Sequence, residues 1–151
     1  MKRAILVLLL SSVTVCTAAA QTAQAPRSGP PKIATAAQVN GTWHTKSGEF
    51  KVWALGHQKL QVEFSGVYEY KSPSGPMANT GEGSGIAHID GDTAIFKPDG
   101  AEDGCGITMR FTDGRLRVSQ EGICGFGNNV TAAGDYRRVS RIKPKFGEAL
   151  K

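Results

Sequence analysis

Residues that hold metals are scarce in this chain: three histidines and three cysteines are all it has. None stands in Cys-x-x-Cys, His-x-His or His-Glu-x-x-His, which excludes the common zinc and metal-hydrolase sites. No serine lies in a Gly-x-Ser-x-Gly elbow, so the α/β-hydrolase nucleophile is absent too. No apolar run is long and unbroken enough for a spanning helix. No stretch keeps helical periodicity, and 19 glycines oppose helix throughout. No internal repeat at solenoid or propeller period is present. The pattern excludes a membrane-spanning segment in the mature chain and leaves a small exported all-β protein.

Export is read from the first 25 residues. Lys2 and Arg3 precede an apolar run from Ala4 to Leu10, and small residues follow through Ala18, Ala19 and Ala20. A secretory peptidase would cut after Ala20 or after Ala25. Residues 1–25 are therefore expected to be a cleaved secretory signal, placing the mature protein in the periplasm or outside the cell. Lipid attachment at Cys16 is disfavoured by the preceding Ser12-Val13-Thr14-Val15, which sets the branched Val15 where such sites have Gly, Ala or Ser. Residues 26–36 read as a flexible Pro-rich linker. Residues 37–141 suit a single core, and 142–151 read as a basic disordered tail.

Charge is uneven along the mature chain. From Arg137 to Lys151 six basic residues face Glu148 alone, a net +5. From Pro26 to Tyr136 ten basic residues face twelve acidic ones, a net −2. The high overall isoelectric point thus describes the C-terminal end. Such a tail is either a solvated end or a weak electrostatic contact for anionic lipid or polymer. Nucleic acid is excluded as a partner, because no aromatic residues interleave with the basic ones on a strand platform.

Cys16 leaves with the signal, and two cysteines remain in an oxidising compartment, where Cys105–Cys124 as a structural disulfide is the economical reading. Between them Ile107, Met109 and Phe111 alternate with polar residues, as do Leu116 and Val118, around Asp113-Gly114. That is a strong hairpin signal. A two-residue turn pairs Thr112 with Arg115, Phe111 with Leu116 and Met109 with Val118. It sets Cys105 opposite Gly122, with Cys124 a diagonal neighbour that a bend at Gly122 would bring within bonding distance.

Strand signals recur elsewhere. Val39 to Thr45, Phe50 to Leu55 and Lys59 to Tyr70 read as strands, the last with Leu60, Val62, Phe64, Tyr68 and Tyr70 on one face. Ser72 to Ser84 reads as a Gly- and Pro-rich loop. Gly85 to Ile89 and Thr93 to Phe96 form a hairpin, with Ala87, Ile89, Ala94 and Phe96 expected inward and His88 out. Val130 to Val139 reads as the last strand. The expected fold is a single small antiparallel barrel of about eight strands, with a two-sheet β-sandwich as the alternative.

Two stretches carry a resemblance. Gly41-Thr42-Trp43 resembles the Gly-x-Trp start of lipocalin-type barrels, although the basic partner of that family has no assignable counterpart. The stretch from Cys105 through Gln120-Glu-Gly-Ile-Cys124-Gly-Phe to Tyr136 is similar to the C-terminal half of small exported bacterial proteins of mostly unassigned function. Disulfide-stapled barrels in that looser group include inhibitors of host lysozymes. The resemblance implies a barrel and names no activity.

Catalysis finds no constellation, and no cofactor is called for. Gly81-Glu82-Gly83-Ser84-Gly85 lacks the Lys-Ser/Thr and the following helix of a phosphate loop. Asp99, Glu102 and Asp103 match no calcium-loop spacing. The candidate partner-binding residues are Phe126, Asn128 and Asn129, directly after Cys124, and Met77 in the glycine-rich stretch. Phe126 either presents an apolar anchor or folds back and plugs the barrel end. Trp43, Trp53, Tyr68 and Tyr70 are candidates to line a cavity. Three functions remain open: a non-enzymatic binding or inhibitory module of the cell envelope acting on an unknown protein or envelope component, a small-ligand carrier, and an enzyme of unrecognised type.

Overall fold

The computed structural model describes residues 34–147, and the expected signal, linker residues 26–33 and residues 148–151 lie outside the described residues. The elements run α1 (Ala36–Val39), β1 (Gly41–Thr45), β2 (Gly48–Gly56), β3 (Lys59–Ser72), β4 (Gly75–Asp90), β5 (Thr93–Phe96), β6 (Gly106–Thr112), β7 (Arg115–Glu121) and β8 (Gly134–Ser140). Each strand pairs antiparallel with the next, and β8 returns to β1, closing a barrel of eight strands. Closure pairs the strand edges that a sandwich would leave open.

Local chemistry sets the turns. His57 and Gln58, both at positive φ (51° and 59°), make the tight β2–β3 turn, the primed geometry that suits strand twist. Asp113-Gly114 gives the expected register, with Thr112 opposite Arg115, Phe111 opposite Leu116 and Met109 opposite Val118. The β4–β5 hairpin sets Ala87 opposite Phe96 and Ile89 opposite Ala94, with His88 exposed.

Alternation then fills the interior. Trp43, Phe50, Val52, Leu60, Val62, Phe64, Phe96, Ile107, Met109, Leu116 and Tyr136 are buried against one another. Tyr136 donates its hydroxyl to the Ala132 carbonyl at 2.8 Å, and burial pushes that hydroxyl's pKa above its ordinary value. These side chains form one buried cluster inside the barrel.

The end that holds the β2–β3, β4–β5 and β6–β7 turns is closed by α1. Val39 is buried there, and its carbonyl accepts the Trp43 indole N–H at 3.0 Å. Arg138 stands opposite Trp43 on β8, its guanidinium 5.0 Å from the indole ring centre. The same guanidinium donates to the carbonyls of Ala37 (2.7 Å) and Gln38 (3.0 Å), capping the C-terminal end of α1. Its pKa is lowered by desolvation and then by Arg141 nearby. Arg138 is thus the basic residue that covers Trp43, a contact the sequence alone does not reveal. Its guanidinium is brought to Trp43 by barrel closure, 95 positions along the chain.

Five boundaries are corrected. The first strand begins at Gly41 rather than Val39, because Ala36–Val39 is helical. Ser72 to Ser84 is strand for most of its length, because β3 offers it an unbroken ladder from Lys59↔His88 to Ser72↔Gly75. Pairing overrides weak strand propensity. Residues 130–133 are irregular, and β8 begins at Gly134. The linker ends earlier than expected, since Ala34 donates to the Gly91 carbonyl at 2.8 Å and packs on the core. The tail from 142 to 147 is docked: Lys143 sits 5.6 Å from the Trp53 ring centre, and the Gly147 N–H donates to Glu63 at 2.6 Å. Glu63 also pairs with Lys51 on the outer face.

Candidate functional site

The opposite end of the barrel gathers the β1–β2 turn, the β3–β4 hairpin, the β5–β6 loop and the long β7–β8 loop. The disulfide ties the last two together. Cys105 and Cys124 have Cα atoms 5.0 Å apart and are bonded. Gly122 makes the expected bend, at φ 67°, and a Cβ there would come 2.2 Å from the Gly104 carbonyl oxygen. Only glycine lets the two loops approach that closely.

Phe126 follows the disulfide and turns inward. It is buried, with its ring 4.7 Å from that of Phe64. It lies over Gly81 and Gly83, where a Cβ on Gly81 would stand 1.8 Å from the Phe126 carbonyl oxygen and one on Gly83 2.6 Å from its ring. The Gly-Glu-Gly-Ser-Gly stretch is thus a cradle for this ring. The exposed-anchor reading of Phe126 is corrected: the residue is the plug. An aromatic row runs from Tyr136 through Phe50 and Phe64 to Phe126, with centroid separations of 5.0, 4.9 and 4.7 Å.

Beyond the plug the β3–β4 ladder continues without neighbours. β2 pairs with β3 only as far as Gly66, and β5 meets β4 only from Ala87. Val67–Ser72 and Gly75–Thr80 therefore project as a two-stranded arm. On one face of it Tyr68 stands opposite Asn79 and Tyr70 opposite Met77. Tyr68, Tyr70 and Met77 are 41, 37 and 48% exposed, and the two tyrosine rings stack with centroids 6.1 Å apart. The base of the arm is fixed by Asn79, whose side-chain amide donates to the Asn128 carbonyl at 2.8 Å. Asn128 and Asn129 are exposed beside it, Asn129 at φ 61°. A shallow depression of about 540 Å³ at the arm is lined by Glu69, Tyr70, Lys71, Pro76, Met77 and Ala78.

The residues expected to line one cavity are dispersed. Trp43 is core, Trp53 is on the outer wall under Lys143, and Tyr68 and Tyr70 have left the barrel. What comes together instead is Tyr68 and Tyr70 with Met77, Asn128 and Asn129, two sets that the sequence kept apart. The β3 row of alternating residues carried the signal, since it continues past Phe64 to Tyr68 and Tyr70. The missing information was where the neighbouring strands stop.

The histidines do not converge. His44, His57 and His88 are exposed on separate elements, and no group of three or more His, Cys, Asp or Glu suited to a metal occurs among the described residues. Asp103 is paired with Lys97 at 3.0 Å. No helix among the described residues is long and apolar enough to cross a membrane.

Fold and site together define a small closed antiparallel barrel with one disulfide and a projecting hairpin. No family model matches the chain, and neither does any curated protein or solved structure.

Proposed function

We propose that this protein is a non-enzymatic binding module of the bacterial cell envelope that works from the disulfide end of its barrel, with the β3–β4 arm as its recognition element. The observation that carries this reading is the exposed face of Tyr68, Tyr70 and Met77 on an arm whose base is locked. Tyrosine and methionine are enriched at the cores of protein interfaces, because they offer large apolar contact. Asn79, Asn128 and the disulfide loop hold the base in place, which lowers the ordering cost of binding. Export is supported by the disulfide, which persists in oxidising compartments, and by the secretory pattern of the first 25 residues.

The large side chains that point inward and pack on one another in a single cluster argue against a carrier with its ligand inside the barrel. The histidines and carboxylates, scattered over separate elements, favour binding over catalysis. The partner is a protein or envelope component with an apolar cleft. The test is co-purification of the mature, oxidised protein from extracytoplasmic extract, with Tyr70→Ser/Met77→Ser as the arm variant. A partner captured by the wild type and lost with that variant supports the reading. Equal capture by both proteins, or a small molecule carried by both, refutes it.

A further inference from the structure

The two edges of the arm are not equivalent. On the β4 side, the Ser84 carbonyl points outward and accepts the Asp99 N–H at 2.8 Å. Backbone direction alternates along a strand, so Thr80, Ala78 and Pro76 also direct their backbone groups to that side. This edge is partly obstructed. Gly127 packs on the Thr80 carbonyl, where a Cβ on it would stand 3.1 Å away, and Pro76 has no N–H to offer. On the β3 side, the Val67 N–H bonds the Ser47 carbonyl at 2.9 Å. The same alternation sends the N–H and C=O of Glu69 and Lys71 toward that side. β2 has ended there, so no strand among the described residues reaches them.

The open stretch is Tyr68 to Ser72, and Tyr70 is its midpoint. Charges on a free edge ordinarily discourage pairing. Here their order makes the edge complementary to itself. Two copies laid antiparallel about Tyr70 set Glu69 opposite the second copy's Lys71, and Lys71 opposite its Glu69. Tyr70 meets the second copy's Tyr70, and Tyr68 meets its Ser72. The two Glu–Lys positions exchange backbone bonds in both directions, about four in all for an antiparallel pair. The Tyr70 pair is the closely spaced, non-hydrogen-bonded kind, in which aromatic side chains interact well. Among the described residues, neither Glu69 nor Lys71 has an ion-pair partner within its own chain.

We propose that the β3 edge of the arm, from Tyr68 to Ser72, pairs with the same edge of a second copy to form a two-fold dimer with a continuous four-stranded arm sheet. Residues directly opposite in such a sheet point to the same side. The dimer therefore presents both sets of Tyr68, Tyr70 and Met77 on one face. The inference does not depend on the binding reading, since assembly is measured with the protein alone.

The test is analytical ultracentrifugation of the mature, oxidised protein across a wide concentration series. The wild type is expected to show a monomer–dimer equilibrium. Glu69→Lys or Lys71→Glu alone replaces both attractive pairs by like-charge pairs, and each is expected to weaken dimerisation by about thirty-fold. The double variant Glu69→Lys/Lys71→Glu restores complementarity and is expected to restore the dimer. A wild type that stays monomeric throughout overturns the proposal. So does a dimer indifferent to the single reversals, or a double variant no better than either single one. All three changes are on exposed side chains of the arm, and the double variant separates lost complementarity from lost folding.

Discussion

The strand β3 passes through two environments within a few residues. Leu60, Val62 and Phe64 point into the barrel and are buried, while Tyr68 and Tyr70, next in the same alternating row, stand in solvent. Side-chain chemistry changes little along the row. The neighbours change: inside, β2 flanks the ladder and the row faces the opposite wall of the barrel, and outside, β3 has β4 alone. Apolar area buried in the first part stabilises the fold, at about 25 cal/mol per Å². The same kind of area left open in the second part is available to a partner. Phe126 marks the border, seated on Gly81 and Gly83 just where β3 and β4 leave the barrel.

The border is the place to break first. Phe126→Ala is expected to destabilise the protein by about 3–5 kcal/mol, as for other buried phenylalanines, and to loosen the arm. Thermal unfolding with hydrogen exchange at residues 77–82 would check both effects. Cys124→Ser is expected to cost about 3 kcal/mol, the chain-entropy value for a loop of this size. The wild type should lose as much on reduction, and equal melting with and without reductant would dismiss a structural role for the bridge.

Two smaller changes probe the barrel side. Removing residues 143–151 should cost about 1 kcal/mol, through loss of the Lys143–Trp53 contact and the Gly147–Glu63 hydrogen bond, and denaturant midpoints would measure it. Tyr136→Phe should cost about 1 kcal/mol at neutral pH. Burial raises the Tyr136 pKa in the folded state, so its contribution is fully present below the unfolded value of about 10 and is lost as pH rises above it. Melting of the wild type should fall in that alkaline window, and the variant should fall less. On the arm, Tyr68→Ser/Tyr70→Ser should shift stability by no more than about 0.5 kcal/mol, as for exposed positions whose rings touch mainly each other. A larger loss would mean that the arm face contributes to the fold.

Much of this was legible in advance for reasons that particular residues make plain. Asp113-Gly114 fixed a register because a two-residue turn leaves one pairing, and that register placed Cys105 near Cys124. Alternation identified the buried residues Leu60, Val62 and Phe64 of β3 and those of β6 and β7. The region from Ser72 to Ser84 departs from the expected loop because its glycines and two prolines lower local strand propensity, whereas the ladder that holds it is supplied by β3. The basic composition of the tail predicts a free end, and Trp53, the ring it lies on, is about 90 positions away in the sequence. Phe126 could be listed as a candidate, but its direction depended on two glycines more than 40 residues earlier.

The sequence by itself determined the strands that alternate, the tight turns, the one available disulfide and an export pattern, because each rests on neighbours a few residues apart. The tertiary structure decided which tryptophan is core, where Arg138 docks, that Phe126 plugs the barrel and that Tyr68 and Tyr70 are left outside it. Those outcomes depend on where one strand ends against another, and only closure of the barrel sets that.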